Sequence, residues 1–256
     1  MRCILYIFFI QLSYFCSSQD TIHMKVDFDG RDYSFARNSI EKSKTDTTTI
    51  HIVILGSSTA AGTGPSSVDS AWVWLYEDFL FQKDARFEMT NLAKGGFTTY
   101  NILPNETIIA DGLSFTIDTA RNITKALSLQ PDAIIINLPS NDAAKSVPVD
   151  DQIQNYNVIL SGLEERKIPY WICTPQPRNG FNASQQKIQA ELLESTIDIF
   201  ENNYIDFWTG LATDDGEVIE LYDSGDGVHL NNSAHKILLQ RVIDMNIDSI
   251  LLGKSY

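Results

Sequence analysis

From Thr49 onward, apolar positions follow two different patterns along the chain. Short runs rich in apolar residues predict strands at Thr49–Gly56, Phe87–Ala93, Asp132–Pro139, Ile168–Pro177 and Tyr204–Trp208. The third and fourth of these runs predict buried strands. Longer stretches with apolar residues at helical spacing predict helices at Ala71–Phe81, Thr116–Leu129, Asp151–Lys167, Gln185–Asn203 and Asn231–Leu252. Strands and helices in this alternation predict a parallel sheet covered on both faces. We therefore expect fold class α/β: a flavodoxin-like, three-layer αβα sandwich with a central parallel sheet of about five strands.

The first residues follow another pattern. An apolar stretch, Ile4–Leu12, follows Arg2 and precedes three small residues, Cys16–Ser18. This is the pattern of a secretory signal peptide, and we expect residues 1–18 to be removed by cleavage after Ser18. Because the apolar stretch is too short for a comfortable membrane span, we expect no stable span once the signal is removed.

A signal peptide predicts an exported protein, in the periplasm, on the cell surface or outside the cell. Cleavage before Cys16, as in a lipoprotein, is the alternative, although the bulky Phe15 argues against it. Residues 19–48 are polar, and we expect an extension or linker there with a small edge strand at Met24–Gly30. One domain is expected at residues 49–256.

Composition narrows the class of protein. The chain has 256 residues and a formal net charge of -14, which argues against nucleic acid or an anionic membrane surface as the partner. Removal of the signal leaves Cys173 as the single cysteine, so no internal disulfide can form. Its apolar surroundings, "YWICTP", favour a buried thiol over a catalytic one. No cluster of metal ligands stands out, and we expect no metal and no cofactor.

Polar residues follow the predicted strands, and active sites of parallel sheets collect at those carboxyl ends. The first strand ends at Gly56, and Ser57 and Ser58 come next. A glycine there permits a tight turn that presents a serine hydroxyl above the sheet, and a helix that followed would direct free N–H groups at the same place. The segment "GSSTAAGTG" fits neither a phosphate loop nor a dinucleotide fingerprint, which argues against a nucleotide-binding protein.

Two further loops offer hydrogen-bond donors. "NLAKGGFTT" places Gly95 and Gly96 after the second predicted strand, and "PSND" places Asn141 after the third. Taken alone, the glycine loop is better explained as a tight turn, and the Asn-Asp pair is equally well explained as a turn or a helix cap.

The loop "DSGDGVHLNN" supplies a candidate base. A turn can fold the carboxylate of Asp226 against the imidazole of His229, which fixes the tautomer and leaves the other ring nitrogen free to take a proton from a hydroxyl. His51 lies within a predicted strand and His235 within a predicted helix, so His229 is the best placed histidine. A histidine of a surface loop without catalytic function is the alternative.

These four segments, in this order, resemble the SGNH (GDSL-type) hydrolase family. The resemblance covers nearly all of the chain after the predicted signal and extension. It implies a catalytic triad in which Ser58 is the nucleophile and His229 and Asp226 are its partners. It also implies an oxyanion hole formed by the backbone N–H groups of Ser58 and Gly96 and the side-chain amide of Asn141.

Two positions depart from the family pattern. Ser57 stands where the family has an aspartate beside the nucleophile, and Pro139 replaces the glycine of the third block. Neither change removes a member of the implied triad. A neutral hydroxyl still forms hydrogen bonds, although weaker ones than a carboxylate.

The resemblance implies a secreted serine esterase that hydrolyses carboxylic esters. Export and the acidic composition favour short acyl groups, such as acetyl esters of carbohydrates, so we expect a small-molecule or glycan ester as the partner. A lipolytic esterase of the lysophospholipase or thioesterase type is one alternative. A non-catalytic carbohydrate-binding protein on the same scaffold is another, since a fold does not fix a function.

Overall fold

The computed structural model describes the backbone of residues 22–28 and 31–37 and the complete residues 48–253. The chain divides into two units, Met1–Thr48 and Thr49–Tyr256. The predicted signal peptide, residues 1–18, lies outside the described residues. The predicted division into signal, extension and single domain therefore stays a prediction.

The first unit contains a β-hairpin. Strands β1 (Ile22–Phe28) and β2 (Arg31–Arg37) pair antiparallel, with Phe28 opposite Arg31. They form a two-stranded sheet of their own, so the small edge strand expected at Met24–Gly30 was an incomplete prediction.

The second unit is built on a parallel sheet of five strands in the order β4-β3-β5-β6-β7. The strands are β3 (Ile50–Gly56), β4 (Phe87–Asn91), β5 (Ala133–Asn137), β6 (Tyr170–Cys173) and β7 (Tyr204–Ile205). After β3 the chain forms β4 on one side and then crosses to form β5 on the other. The carboxyl ends of β3 and β5 therefore border the crevice where ligands bind in open α/β sheets.

Helices cover the two faces of this sheet. They are α1 (Trp72–Lys83), α2 (Ile123–Ser128), α3 (Asn141–Ala144), α4 (Val149–Glu164), α5 (Ala183–Phe200), α6 (Asn232–Asp244) and α7 (Ile247–Leu252). Alternate residues of each strand enter opposite cores. Helices α1, α6 and α7 bury side chains in one core, and α2, α4 and α5 bury side chains in the other. The α/β class and the sheet of five parallel strands are thereby confirmed.

Two predicted helices have different boundaries. The stretch Thr116–Leu129 is helical only from Ile123, because Asn122 caps α2 by accepting a hydrogen bond from the Lys125 N–H at 3.0 Å. The single closing helix expected at Asn231–Leu252 is two helices. Asn246 separates them in the left-handed region, at φ 52°, which an α-helix cannot contain.

In the part of the chain that the structure describes, no helix is both long enough and apolar enough to span a bilayer.

Candidate active site

The two serines sit where β3 ends, and they have different surroundings. Ser57 is fully buried, and its N–H donates to the carbonyl of Asn137 at the end of β5, at 2.9 Å. A Cβ added at Gly56 would lie 2.6 Å from that same carbonyl oxygen, so glycine is needed for the two strand ends to approach this closely. Ser58 is partly exposed. Its hydroxyl, not that of Ser57, is accessible above the sheet.

The segment after Ser58 is a turn, not the start of a helix. The N–H of Ala61 donates to the carbonyl of Ser57 and that of Thr63 to the carbonyl of Ser58, both at 2.9 Å, and α1 begins only at Trp72. The helix predicted at Ala71–Phe81 does follow, as α1, but this turn and a loop separate its N-terminus from Ser58 along the chain. A left-handed glycine, Gly62 at φ 91°, ends the turn before a second helical turn can form.

Asp226, His229 and Ser58 form a continuous hydrogen-bonded chain. His229 Nε2 is 3.0 Å from Ser58 Oγ, and His229 Nδ1 is 2.6 Å from Asp226 Oδ2. The other carboxylate oxygen of Asp226 accepts from the N–H groups of Val228 and His229, at 2.9 and 2.8 Å. The structure brings together the three residues of the implied triad from opposite ends of the domain.

Hydrogen bonds within the loop favour the ionised form of Asp226. Partial burial raises the pKa of its carboxyl, but the hydrogen bonds from the His229 ring and from the N–H groups of His229 and Val228 outweigh it and hold the pKa below its ordinary range. An ionised carboxylate on Nδ1 keeps the proton on that nitrogen. Nε2 is then available to accept the hydroxyl proton of Ser58.

Gly64 holds the serine segment against the histidine segment. Its φ is 114°, and an added Cβ would overlap the carbonyl oxygen of Leu230 and lie 3.0 Å from His229 Cβ. No side chain fits between these two segments. Sequence reasoning gave Gly64 no role, although a glycine six residues after the nucleophile candidate was visible.

Two backbone N–H groups that the resemblance implies as oxyanion donors have no acceptor in the structure's described residues. In the described part of the chain, neither the N–H of Ser58 nor that of Gly96 donates a hydrogen bond. The glycine loop comes close to the serine, since a Cβ added at Gly95 would lie 3.8 Å from Ser58 Cβ. Gly96 has φ 84°, and a Cβ added there would meet no atom within 4 Å. Both predicted backbone donors therefore lack an acceptor and are available for hydrogen bonding.

The third predicted donor, the Asn141 amide, is already engaged. Its Nδ2 donates to Ser57 Oγ at 2.6 Å and to the carbonyl of Phe97 at 2.9 Å. An amide NH₂ has two hydrogens, and these two bonds use both. Asn141 thus ties together the serine segment and the glycine loop, and it must redirect one hydrogen before it can donate to a ligand.

Asp142, the next residue, holds the chain at Thr99, shortly after the glycine loop. Its carboxylate accepts from the Thr99 N–H at 3.0 Å and from Thr99 Oγ1 at 2.8 Å, and Asn155 Nδ2 donates to Thr99 Oγ1 at 2.9 Å. Burial raises the pKa of Asp142 to about 6, even though the bonds from Thr99 oppose the rise.

Arg178 reaches the site from the loop after β6. Its Nη1 lies 3.4 Å from Asn141 Oδ1 and 3.5 Å from Ser140 Oγ. The sequence prediction missed Arg178, because it considered the carboxyl ends of the first three predicted strands only. The same rule, applied to the fourth strand, would have pointed to "TPQPRNG".

Other singled-out residues lie elsewhere in the core. His235 is fully buried, its Nδ1 accepts from the Trp72 N–H at 3.0 Å, and burial lowers the pKa of its ring to about 3. His51 Nε2 is 2.8 Å from Thr90 Oγ1 at the side of the sheet. Cys173 is buried, which raises the pKa of its thiol, as expected of a core cysteine. Among residues 48–253, no group of three or more His, Cys, Asp or Glu side chains could hold a metal ion.

Several solved structures have a fold similar to this one. A lipolytic protein of the G-D-S-L family from Desulfitobacterium hafniense has a TM-score of 0.57 at 19% identity, over 77% of this chain and 99% of that one. The psychrotrophic esterase EstA from Pseudoalteromonas has a TM-score of 0.56 at 15% identity, over 78% and 98%. The acetyl xylan esterase AlAXEase has a TM-score of 0.56 at 17% identity, over 77% and 100%. No curated protein sequence matches the chain.

The sequence itself matches a family over most of its length. The GDSL-like lipase/acylhydrolase family matches residues 54–237, a range that includes every residue of the implied triad and oxyanion hole. The three similar structures are all too distant in sequence to show more than the fold. With the family match, the resemblance first seen in four short segments is confirmed: the chain belongs to the GDSL-like lipase/acylhydrolase family and is an ester hydrolase.

Proposed function

We propose that this protein is a serine esterase in which Ser58, His229 and Asp226 form the catalytic triad. The observation that carries the proposal is the hydrogen-bonded chain from Ser58 Oγ to His229 Nε2, at 3.0 Å, and from His229 Nδ1 to Asp226, at 2.6 Å. These distances are within the range for proton transfer between a nucleophile and its base.

In the acylation step, His229 Nε2 takes the hydroxyl proton of Ser58 as Oγ attacks the carbonyl carbon of the ester. The backbone N–H groups of Ser58 and Gly96 are free to donate to the resulting oxyanion. Asn141 becomes the third donor when one of its hydrogens turns from Ser57 Oγ or the Phe97 carbonyl. His229 then gives its proton to the alcohol oxygen, the carbon–oxygen bond breaks, and the alcohol leaves.

In the deacylation step, His229 takes a proton from water, which attacks the acyl-enzyme. The tetrahedral intermediate uses the same three donors and collapses to release the carboxylic acid, while the proton returns to Ser58 Oγ. Throughout, the Asp226 carboxylate accepts the Nδ1–H bond and stabilises the charged imidazolium.

We propose short acyl esters of carbohydrates as the substrate class. The exported location that the N-terminus predicts and the acidic composition support this choice. Two structurally similar proteins, an acetyl xylan esterase and an esterase active on acetylated mannans, act on such esters. A series of p-nitrophenyl esters tests it: the highest kcat/KM is expected for acetyl, and a preference for long chains would instead support the lipolytic alternative.

The two adjacent serines provide a sharp test of the nucleophile. Ser58→Ala is expected to lower kcat at least about 10³-fold, because it removes the attacking oxygen. Ser57→Ala is expected to lower kcat/KM by about tenfold or less, because it removes one of the two acceptors that position the Asn141 amide. Both variants are measured on p-nitrophenyl acetate.

Covalent labelling supplies the control. A fluorophosphonate, mapped by mass spectrometry, is expected on Ser58 in the unaltered protein and in Ser57→Ala, and on neither serine in Ser58→Ala. Equal loss of turnover in both variants, or labelling of Ser57, would contradict the assignment. Complete absence of turnover and labelling in the unaltered protein would favour the binding-protein alternative.

A further inference from the structure

Arg178 lies on a loop that is held rigidly against the loop of the proposed triad. Its own N–H donates to the carbonyl of Gly216 at 3.1 Å. The next residue, Asn179, donates its N–H to the carbonyl of Gly227 at 2.7 Å and accepts from the Val218 N–H at 2.7 Å. A Cβ added at Gly227 would lie 2.8 Å from Asn179 Cβ, so the two loops are in direct contact. The backbone of Arg178 is thereby fixed beside the loop that carries the proposed base.

The guanidinium of Arg178 has few partners for its charge. One nitrogen, Nη1, makes both of its contacts, to Asn141 Oδ1 at 3.4 Å and Ser140 Oγ at 3.5 Å, which are long for hydrogen bonds. Nε and Nη2 donate to no atom of residues 48–253, and no carboxylate in that range forms an ion pair with Arg178. Three of the five N–H donors of the planar guanidinium therefore have no acceptor among those residues.

This charge is also partly removed from water. Arg178 is half-buried, and the guanidinium carbon lies 5.2 Å from the centre of the Phe181 ring. Burial lowers the pKa of Arg178, while the negative charge of Asp226 opposes the fall. A partly desolvated guanidinium with open donors gains strongly from an anion that can take two of them at once.

The contrast with Lys94 shows that this arrangement is not general around the site. Lys94 adjoins the glycine loop, but its ammonium is paired with Asp118 at 3.0 Å and is exposed to water. Its charge is already compensated. Arg178, by comparison, has no carboxylate partner among the described residues, and its Nη1 lies beside Asn141, the proposed third oxyanion donor.

We propose that Arg178 is a specificity residue that binds an anionic group, a carboxylate, on the alcohol half of the ester that Ser58 attacks. This inference rests on the proposed function. An acetyl group carries no ionisable group, so the carboxylate must belong to the alcohol half of the ester. The substrate class is therefore an acetylated acidic sugar, such as a uronic acid, in preference to an acetylated neutral sugar.

Matched pairs of esters test this on the full chain. One pair is 4-acetoxybenzoate and its methyl ester, and the other is an acetylated methyl glucuronoside and the corresponding glucoside. Each pair differs by one negative charge on the alcohol half. The quantity of interest is the ratio of kcat/KM for the anionic ester to that for the neutral ester. Comparing this ratio between variants cancels the intrinsic reactivity of the two leaving groups.

Arg178→Gln is expected to lower this ratio about tenfold or more on at least one pair, because the anionic ester loses a charge-assisted hydrogen bond. Arg178→Lys keeps the charge but not the fork, and it is expected to retain an intermediate ratio. The matched control is Arg166→Gln, just after α4, where the guanidinium donates to the carbonyl of Gly162 at 2.8 Å; its ratio is expected to equal that of the unaltered protein.

The outcomes separate this inference from the proposed function. If Arg178→Gln lowers kcat/KM equally for the anionic and neutral members of both pairs, Arg178 only orients Asn141 and the inference is wrong. An unchanged kcat/KM for all four esters also overturns it. Hydrolysis of the neutral esters by the unaltered protein, abolished by Ser58→Ala, keeps the proposed function in either case. Absence of that hydrolysis would instead overturn the proposed function.

Discussion

Ser57 shows how one side chain changes the electrostatics next to the proposed nucleophile. The family has an aspartate at this position, whereas this chain has a neutral hydroxyl that is fully buried and accepts from Asn141 Nδ2 at 2.6 Å. A buried carboxylate would hold the Asn141 amide more strongly than a hydroxyl does. The Asn141 amide is therefore held less firmly here than it would be beside an aspartate.

Asp142 gives a prediction at the same scale, on stability and pH. Its pKa is raised by burial to about 6, well above that of an unfolded aspartate. The folded state therefore holds a proton that the unfolded state releases. The stabilising contribution is complete below about pH 4 and is lost as the pH rises through about 6. The loss amounts to about 3 kcal/mol of unfolding free energy.

Urea denaturation between pH 4 and pH 6.5 measures this effect. Asp142→Asn is expected to flatten the fall in unfolding free energy over that interval, because the side chain can no longer ionise. Asp198→Asn, on the exposed surface of α5, controls for the loss of one negative charge elsewhere. A slope that is the same in the unaltered protein and in Asp142→Asn would show that this carboxyl does not determine it.

At the scale of elements, contacts between loops assemble the site. Thr59 Oγ1 donates to Gln176 Oε1 at 2.7 Å, and Gln176 Nε2 donates to the carbonyl of Val228 at 3.2 Å. Gln176 thus connects the serine turn to the loop that carries Asp226 and His229. Each of these loops follows a different strand or precedes a different helix, and none of them is held by its own local sequence alone.

Gly64 provides the prediction for these loops. Gly64→Ala is expected to lower the unfolding free energy by about 3 kcal/mol, from a strained backbone and an overlap with the carbonyl of Leu230. The esterase activity is expected to fall as well, because the overlap pushes His229 away from Ser58. Urea denaturation and kcat on p-nitrophenyl acetate measure the two effects.

The control for Gly64→Ala is Gly210→Ala. Gly210 also has a positive φ, 73°, but an added Cβ there would meet nothing within 4 Å. This variant tests backbone strain alone and is expected to cost about 1 kcal/mol with activity retained. Equal effects of the two substitutions on stability and activity would contradict the argument from loop contact.

For the whole molecule, the sheet and the proposed site lie within one unit of the chain. The five parallel strands, the helices α1 to α7 and every residue of the proposed triad and oxyanion hole belong to Thr49–Tyr256. We propose that residues 1–18 are removed on export, that 19–48 are an extension, and that 49–256 form an independent hydrolase domain.

A chain that begins at Thr49 tests this division. It is expected to fold cooperatively and to retain kcat/KM on p-nitrophenyl acetate within about twofold, because its two cores and its site are internal to that unit. Failure to fold would show that the first unit is required. N-terminal sequencing of the exported full chain is expected to begin at Gln19, and a lipidated Cys16 at the N-terminus would instead support the lipoprotein alternative.

Local patterns in the sequence were sufficient for the class of fold. An apolar run such as Ala133–Leu138 needs burial on both faces, and a covered parallel sheet provides it, so the α/β sandwich follows from the order of such runs and the amphipathic segments between them. Boundaries were less predictable. Asn122 delays the start of α2 by a side-chain cap, and Asn246 splits the closing helix by its left-handed backbone. In both places the helical periodicity of the sequence extends beyond the helix that forms.

The sequence by itself determined the fold class, the family and the residues of the proposed triad, because residue types in a fixed order carry that information. The tertiary structure decided which serine is accessible, that Asn141 is already engaged, and that Gly64 and Arg178 adjoin the site. These properties depend on distances between segments up to 171 residues apart in the chain, as for Ser58 and His229. No local pattern encodes such distances, since they are set by how the strands and loops pack.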